Sequence, residues 1–281
     1  MEFRPFGCAK RSAPVIGQGT WYGDDDDRDA AIAALRHGMD LGMTHIDTAE
    51  MYLEGTAEKW VAEAIVGRRN EVFLVSKVLP SNASRRGTVA ACERSLARLG
   101  TDRLDCYLLH WRGSHPLDKT VAAFEQLKEE GKILSWGVSN FDDRDLMQIK
   151  QMVGGSGPVC NQVLYHVEER AIEYAVLPWC ERNGAALVAY SPFGHGNFPD
   201  PQSPRGRILK QIAGDHGATP RQVALRFLLR NAAVFTIPKS SNPDHVAENA
   251  GAGDLRLSDA ELEQIDQAFP RGPRPKELPM L

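Results

Sequence analysis

Residues 72–77 read Val72-Phe73-Leu74-Val75-Ser76-Lys77, a short β-rich run that ends on a lysine. An amphipathic stretch with helical spacing follows at 88–99, and a second β-rich run at 104–110 closes on His110. Strand, helix and strand in that order predict two parallel strands joined by a right-handed crossover. The same unit recurs outward in both directions. Further β-rich runs lie at 15–19, 44–47, 134–139, 159–163, 186–190 and 234–238. Helical spacing occupies 28–41, 56–66, 120–130, 142–152, 175–183, 205–216 with 220–229, and 245–250. In 28–41, for example, Ile32, Leu35 and Met39 recur at three- and four-residue steps, as one buried helix face requires.

Eight such units fill a chain of 281 residues as one closed α/β barrel, the (β/α)8 or TIM barrel. The competing open, doubly wound sheet usually carries GxGxxG after its first strand, and nothing of that form follows 15–19. The expectation is therefore a single domain over 1–281. Residues 1–13 would form a hairpin closing the bottom with its turn at 5–7, and the proline-rich 271–281 a surface tail.

Bulk properties narrow the function. A net charge of −4 gives no basic footprint for nucleic acid, and no apolar run approaches the length of a membrane span. The first ten residues lack the apolar core of a signal peptide, so a cytoplasmic location is expected. Five scattered cysteines without CxxC pairing argue against a disulfide framework and a zinc site. The run Asp24–Asp27 reads as an acidic helix entrance rather than a metal loop. No metal is expected.

Almost every β-rich run finishes on a polar residue: Asp47, Lys77, His110, Ser139 with Asn140, Gln162, Tyr190 with Ser191, and Lys239 with Ser240. In a barrel of parallel strands these ends meet at one mouth, where the active sites of that architecture lie. A lysine at a buried strand end needs a carboxylate partner, and Asp47 ends the preceding strand. Tyr52 follows five residues after Asp47 and can fold back over the mouth. An ammonium beside it would lower the phenol's pKa toward a usable acid, and His110 would add a second donor to a substrate oxygen. Taken singly, Asp47 could be a helix cap, Lys77 a solvated end and His110 a core histidine. Their shared position at strand ends is what points to chemistry.

At this point the sequence resembles the aldo-keto reductase family, from about residue 14 to residue 249. The likeness rests on Gly17-Gln18-Gly19-Thr20-Trp21, His45-Ile46-Asp47-Thr48-Ala49-Glu50-Met51-Tyr52 and Leu74-Val75-Ser76-Lys77. It continues through Leu108-Leu109-His110-Trp111, Gly137-Val138-Ser139-Asn140-Phe141, Asn161-Gln162, Ala189-Tyr190-Ser191-Pro192 and Ile237-Pro238-Lys239-Ser240. Each segment is short; eight in order at strand ends are specific. The resemblance implies a tetrad of Tyr52, Lys77, Asp47 and His110. It implies hydride transfer from C4 of a reduced nicotinamide to an aldehyde or ketone, with Tyr52 protonating the alkoxide.

The same resemblance implies the cofactor contacts. Ser139, Asn140 and Gln162 would hold the carboxamide, Tyr190 would stack under the nicotinamide, and Gly19, Thr20 and Asp47 would line it near the ribose. Ser191, Pro192, Phe193 and Gly194 would hold the pyrophosphate. Lys239, Ser240 and Asn242 would meet a 2′-phosphate beside a helix N-terminus, while Glu248 and Asn249 take the adenine. His245 stands where many relatives carry arginine, so NADPH is expected to be preferred less steeply, and NADH remains possible.

Trp21 and Trp111, with Tyr22, are expected to wall the substrate pocket beside Tyr52 and His110. His195 is expected to cover the cofactor. Gly154-Gly155-Ser156-Gly157 reads as a turn rather than a phosphate loop, because no lysine follows it. The short segments after His110 and after residue 270 suggest an open pocket for small carbonyls. The likeness is greatest to bacterial reductases of small aldehydes such as methylglyoxal. A monomer is expected, with a small-molecule carbonyl as its partner. The rival readings are an NADPH-binding sensor with little turnover, and a structural protein with a relict pocket.

Overall fold

In the computed structural model, residues 1–281 are described except 10, 24, 155 and 156. A hairpin of β1 (Phe3–Pro5) and β2 (Ser12–Pro14) comes first, paired antiparallel with Pro5 opposite Ser12. Its connection therefore spans the residues between 5 and 12, and Phe6 N donates to Arg11 O, so the turn is wider than the expected 5–7. Phe6 points into the barrel end and packs on His45, Phe73 and Phe235. The hairpin thus carries an aromatic plug.

Eight parallel strands follow in order: β3 (Gln18–Gly19), β4 (His45–Asp47), β5 (Phe73–Val78), β6 (Cys106–Leu109), β7 (Trp136–Ser139), β8 (Cys160–Leu164), β9 (Ala186–Tyr190) and β10 (Val234–Thr236). Each pairs with its sequence neighbour. A parallel bridge from Ile16 to Thr236 joins the two ends, with Gly17 N donating to Thr236 O and Gly19 N to Pro238 O. At this seam a Cβ on Gly19 would lie 2.7 Å from Ile237 O, so only glycine allows the approach. The first predicted strand, 15–19, is regular for only its last two residues because the seam begins there.

Ten α-helices are found among the described residues: α1 (Arg28–Asp40), α2 (Thr56–Ala64), α3 (Arg85–Leu99), α4 (Leu117–Glu129), α5 (Asp143–Val153), α6 (Val176–Asn183), α7 (Pro204–Asp215), α8 (Pro220–Leu228), α9 (Pro243–Gly251) and α10 (Asp259–Ala268). They pack as neighbours from α1 to α6, and α9 returns to α1. Asp27, Ser84, Asp142, Ser203, Thr219, Asn242 and Ser258 cap helix N-termini, each side chain accepting an otherwise unpaired N–H. α10 was not expected, although Ser258 and Glu261 form a capping box. Gly154 ends α5 in the left-handed region as the predicted turn requires; Gly155 and Ser156 lie outside the described residues.

The C-terminal stretch departs from a plain surface tail. Arg274 pairs with Asp143 at 3.1 Å, Leu278 packs on the core, and Leu281 N reaches 3.4 Å from Tyr190 OH at the mouth. Cys92, Cys106, Cys160 and Cys180 are buried free thiols, and Cys8 is exposed. No helix among the described residues is long and apolar enough to cross a membrane.

Candidate active site

Parallel strands bring their C-terminal ends to one rim, and Asp47, Lys77, His110, Ser139, Gln162 and Tyr190 all sit there. Below the rim, Lys77 Nζ donates to Asp47 Oδ1, to Thr48 O at 2.9 Å and to Tyr52 OH at 3.2 Å. Gln162 Nε2 holds the other Asp47 oxygen at 2.7 Å. Lys77 and Asp47 are essentially without solvent contact, so neither charge is tolerable without the other. Burial opposes the lysine's charge, but Asp47 and Tyr52 outweigh it and hold its pKa above the ordinary value.

Tyr52 is delivered by a tight turn, Tyr52–Gly55, in which Leu53 and Glu54 both take left-handed φ values of 46° and 52°. Such a conformation costs roughly 1–2 kcal/mol per residue without glycine, and here it folds the ring back over Lys77. The phenol's pKa runs against the expectation. Burial raises it above the ordinary value, and the nearby ammonium offsets only part of that. Tyr52 is therefore a neutral phenol holding a transferable proton. His110 meets its ring edge to face at 5.6 Å. Burial, and then Lys77, push the His110 imidazole down to about 2. It is neutral, and its Nδ1 is buried without a hydrogen-bond partner.

These groups open onto a cavity of about 620 Å³. Trp21 and Trp111 stand in its wall, as expected. Tyr22 does not; it is buried against Trp60. Trp21 stacks between Tyr52 and His195, with ring centroids at 6.3 and 5.2 Å, so His195 lies over the mouth. Along the floor, Tyr190 OH donates to Asn140 Oδ1 at 2.9 Å, and Asn140 Nδ2 donates to His110 O. Asn140 and Ser191 have positive φ, 59° and 47°, which marks strain held at the site by its surroundings. Thr20 Oγ1 donates to Asp47 O.

Of the expected cofactor residues, Gly19, Thr20, Asp47, Ser139, Asn140, Gln162, Tyr190, Ser191, Pro192, Phe193 and Lys239 line this cavity. Gly194, Ser240, Asn242, His245, Glu248 and Asn249 do not. Asn242 spends its side-chain oxygen capping α9, His245 is exposed on the first turn of α9, and Glu248 accepts from Thr219 Oγ1. Asn249 is buried. Met51, Gly23, Gly196, Ile237, Pro238 and Leu281 line the cavity unannounced. Met51 and the pair Ile237-Pro238 lay inside motifs that could have flagged them, and Gly196 adjoins His195 in the loop expected to cover the cofactor. Of the acidic run, Asp27 caps α1, Asp26 turns inward to Lys239, and Asp24 lies outside the described residues.

Residues 15–269 match the description "Aldo/keto reductase family". A methylglyoxal reductase of Escherichia coli (strain K12) is 46% identical over 92% of this chain and 92% of its own length. A glyoxal reductase of Bacillus subtilis (strain 168) is 35% identical over 88% of each chain. A crystal structure of an aldo-keto reductase from Klebsiella pneumoniae in complex with NADPH superposes with a TM-score of 0.93 at 43% identity, covering 100% of both chains. One match spans the barrel from seam to last helix and the others nearly all of both partners, so they carry one conclusion: the chain belongs to the aldo/keto reductase family.

Proposed function

We propose that this chain reduces small aldehydes and ketones to alcohols with NADPH, and that Tyr52 is the proton donor. The observation that carries the reading is one contact set: a buried Lys77 bonded at once to Asp47 and to the Tyr52 hydroxyl, at the floor of an open cavity. The chain is an NADP-dependent oxidoreductase, and a bound NADPH supplies the hydride.

The residues present fit that group. Ser139, Asn140 and Gln162 offer hydroxyl and amide partners complementary to a carboxamide, the Tyr190 ring forms a flat wall, and Lys239 puts a cation at the rim. In this reading Ser191, Pro192, Phe193 and Gly194 support the pyrophosphate, with Gly19, Thr20 and Asp47 nearer the nicotinamide. Lys239, Ser240 and Asn242 meet the 2′-phosphate with His245 beside them, and Glu248 and Asn249 face the adenine.

The substrate oxygen sits between the Tyr52 hydroxyl and the His110 ring, inside the wall of Trp21 and Trp111. His110, neutral, donates to that oxygen and fixes its direction. As negative charge develops there, Tyr52 passes its proton to it. Lys77, anchored by Asp47, stabilises the phenolate left behind. Both donors act most strongly on charge that exists only in the transition state. Gln162 fixes the second Asp47 oxygen, so the carboxylate stays on the lysine.

Small carbonyls such as methylglyoxal are the proposed substrates, supported by the relatives named methylglyoxal and glyoxal reductase. We take residues 1–281 as one domain acting as a cytoplasmic monomer, without nucleic-acid or membrane partners. Loss of NADPH absorbance with a panel of aldehydes and dicarbonyls tests the reading. Turnover on small dicarbonyls is expected. Tight NADPH binding with no turnover on any member would replace the enzyme by a sensor, and a Kd favouring NADH would remove the Lys239 assignment.

A further inference from the structure

Asp26 belongs to the loop after β3 and Lys239 to the loop after β10, so they face each other across the barrel seam. Lys239 Nζ lies 2.7 Å from both Asp26 oxygens. Ser241 Oγ donates to Oδ1 at 3.0 Å, and Gly23 N donates to Oδ2 at 2.9 Å. The carboxylate is only 14% exposed, whereas its neighbours Asp25 and Asp27 are exposed and Asp27 caps α1. Burial works to raise the Asp26 pKa, and the bonds from Lys239, Gly23 and Ser241 outweigh it, holding the group ionised below the usual range. An ammonium, a hydroxyl and a backbone N–H around one anion make the donor set that a phosphate group would also use.

We propose that Asp26 is a built-in competitor for the 2′-phosphate of NADPH: it occupies Lys239 and Ser241 in the free protein, and the discrimination between NADPH and NADH is set by how readily it releases the lysine. The inference rests on the assignment of Lys239 to the 2′-phosphate. NADH has no such phosphate and leaves the Asp26–Lys239 pair intact. NADPH must displace a carboxylate or share its lysine with one. Both side chains are partly exposed, Lys239 by 34%, so the pair is of the weak class and can be exchanged. Weakness of the pair makes release possible; its existence makes the NADPH preference shallower than a free lysine would give. His245 in place of an arginine acts in the same direction.

Equilibrium titrations of the purified protein, followed by calorimetry, test this without turnover. Ligands are NADPH, NADH, adenosine 2′,5′-bisphosphate and 5′-AMP; variants are Asp26→Asn, Asp26→Ser, Lys239→Met and the Asp26→Asn/Lys239→Met pair. Asp26→Asn and Asp26→Ser are expected to tighten NADPH and the bisphosphate by about two- to fivefold and to leave NADH and 5′-AMP unchanged. Affinity for the bisphosphate should also become more salt-sensitive, because the lysine charge is no longer neutralised. Lys239→Met should erase the NADPH advantage and make Asp26→Asn silent in the double variant. If Asp26→Asn weakens NADPH and NADH alike, Asp26 is a loop clamp and the proposal is overturned. It is overturned equally if Asp26→Asn changes nothing while Lys239→Met does lose the NADPH advantage. A Lys239→Met protein that keeps the advantage removes the phosphate assignment itself, and this inference with it.

Discussion

The two ends of the barrel use the same strands for opposite ends. β4 is three residues long and places His45 at the lower end and Asp47 at the upper, both facing inward by the alternation of a strand. His45 is enclosed by Phe6 and Phe73, both its ring nitrogens lack partners, and burial pushes it down to about 3. His110 at the upper end is as neutral as His45, but it opens onto a cavity beside a phenol and an ammonium. Burial alone therefore does not make a buried histidine chemical. What differs is the access of a second molecule and the phenol that meets the ring, since Lys77 acts on both histidines.

That division can be attacked from both ends. At the top, Tyr52→Phe should lower kcat by about 100- to 10,000-fold while NADPH binding stays nearly intact. A substantial residual kcat would remove Tyr52 as donor. At the bottom, Phe6→Ala should destabilise the fold by about 3–5 kcal/mol, read as a shift in urea midpoint, with kcat of the folded protein unchanged. A fall in kcat in step with stability would join the two ends. The histidine itself sharpens the contrast. Its pKa is depressed in the folded state below the ordinary 6.5, so the unfolded chain takes up the proton first. The stability that depends on a neutral His45 is present above about pH 6.5 and is lost as pH falls toward 3. Tm measured from about pH 7 to pH 4 should fall less in His45→Leu than in the parent. Parallel curves would show that the plug carries no titration. The smallest effect belongs to the wall: Trp21→Ala should raise KM for small carbonyls about two- to tenfold through loss of its stack, with little change in kcat.

Much of the upper end was legible in the sequence because the signal is local and repeated. Almost every strand run ended on a polar residue, and parallel topology carries such residues to one rim whatever the loops do. Some helix starts were legible for a similar reason, since Asp27 and Ser203 sit beside the N–H groups they cap, whereas α3, capped by Ser84, begins at Arg85 and not at the expected 88. Ser258 with Glu261 carried the same signal for α10, and it was missed because no strand run precedes it. What stayed hidden depends on distant partners or on burial. Asp26 meets Lys239 across 213 positions of chain, and no spacing rule announces that. The direction of the Tyr52 pKa turns on how deeply the ring is enclosed, which outweighs the neighbouring charge. The left-handed pair Leu53 and Glu54 carries no glycine to betray it; Gly55 follows one residue late. The reach of residues 271–281 to Tyr190 is equally non-local.

The buried thiols bear on the chemistry in another way. Thiolates add to the carbonyl carbon of reactive carbonyls of the proposed substrate class, so a protein that concentrates such carbonyls exposes its own nucleophiles to damage. Burial pushes Cys92 and Cys180 up to about 12 and Cys160 well above its ordinary value, so none offers a thiolate near neutrality. Only Cys8, in the hairpin connection at the far end from the mouth, faces solvent. The barrel wall thus shields four sulfurs from the electrophiles its own mouth would draw in.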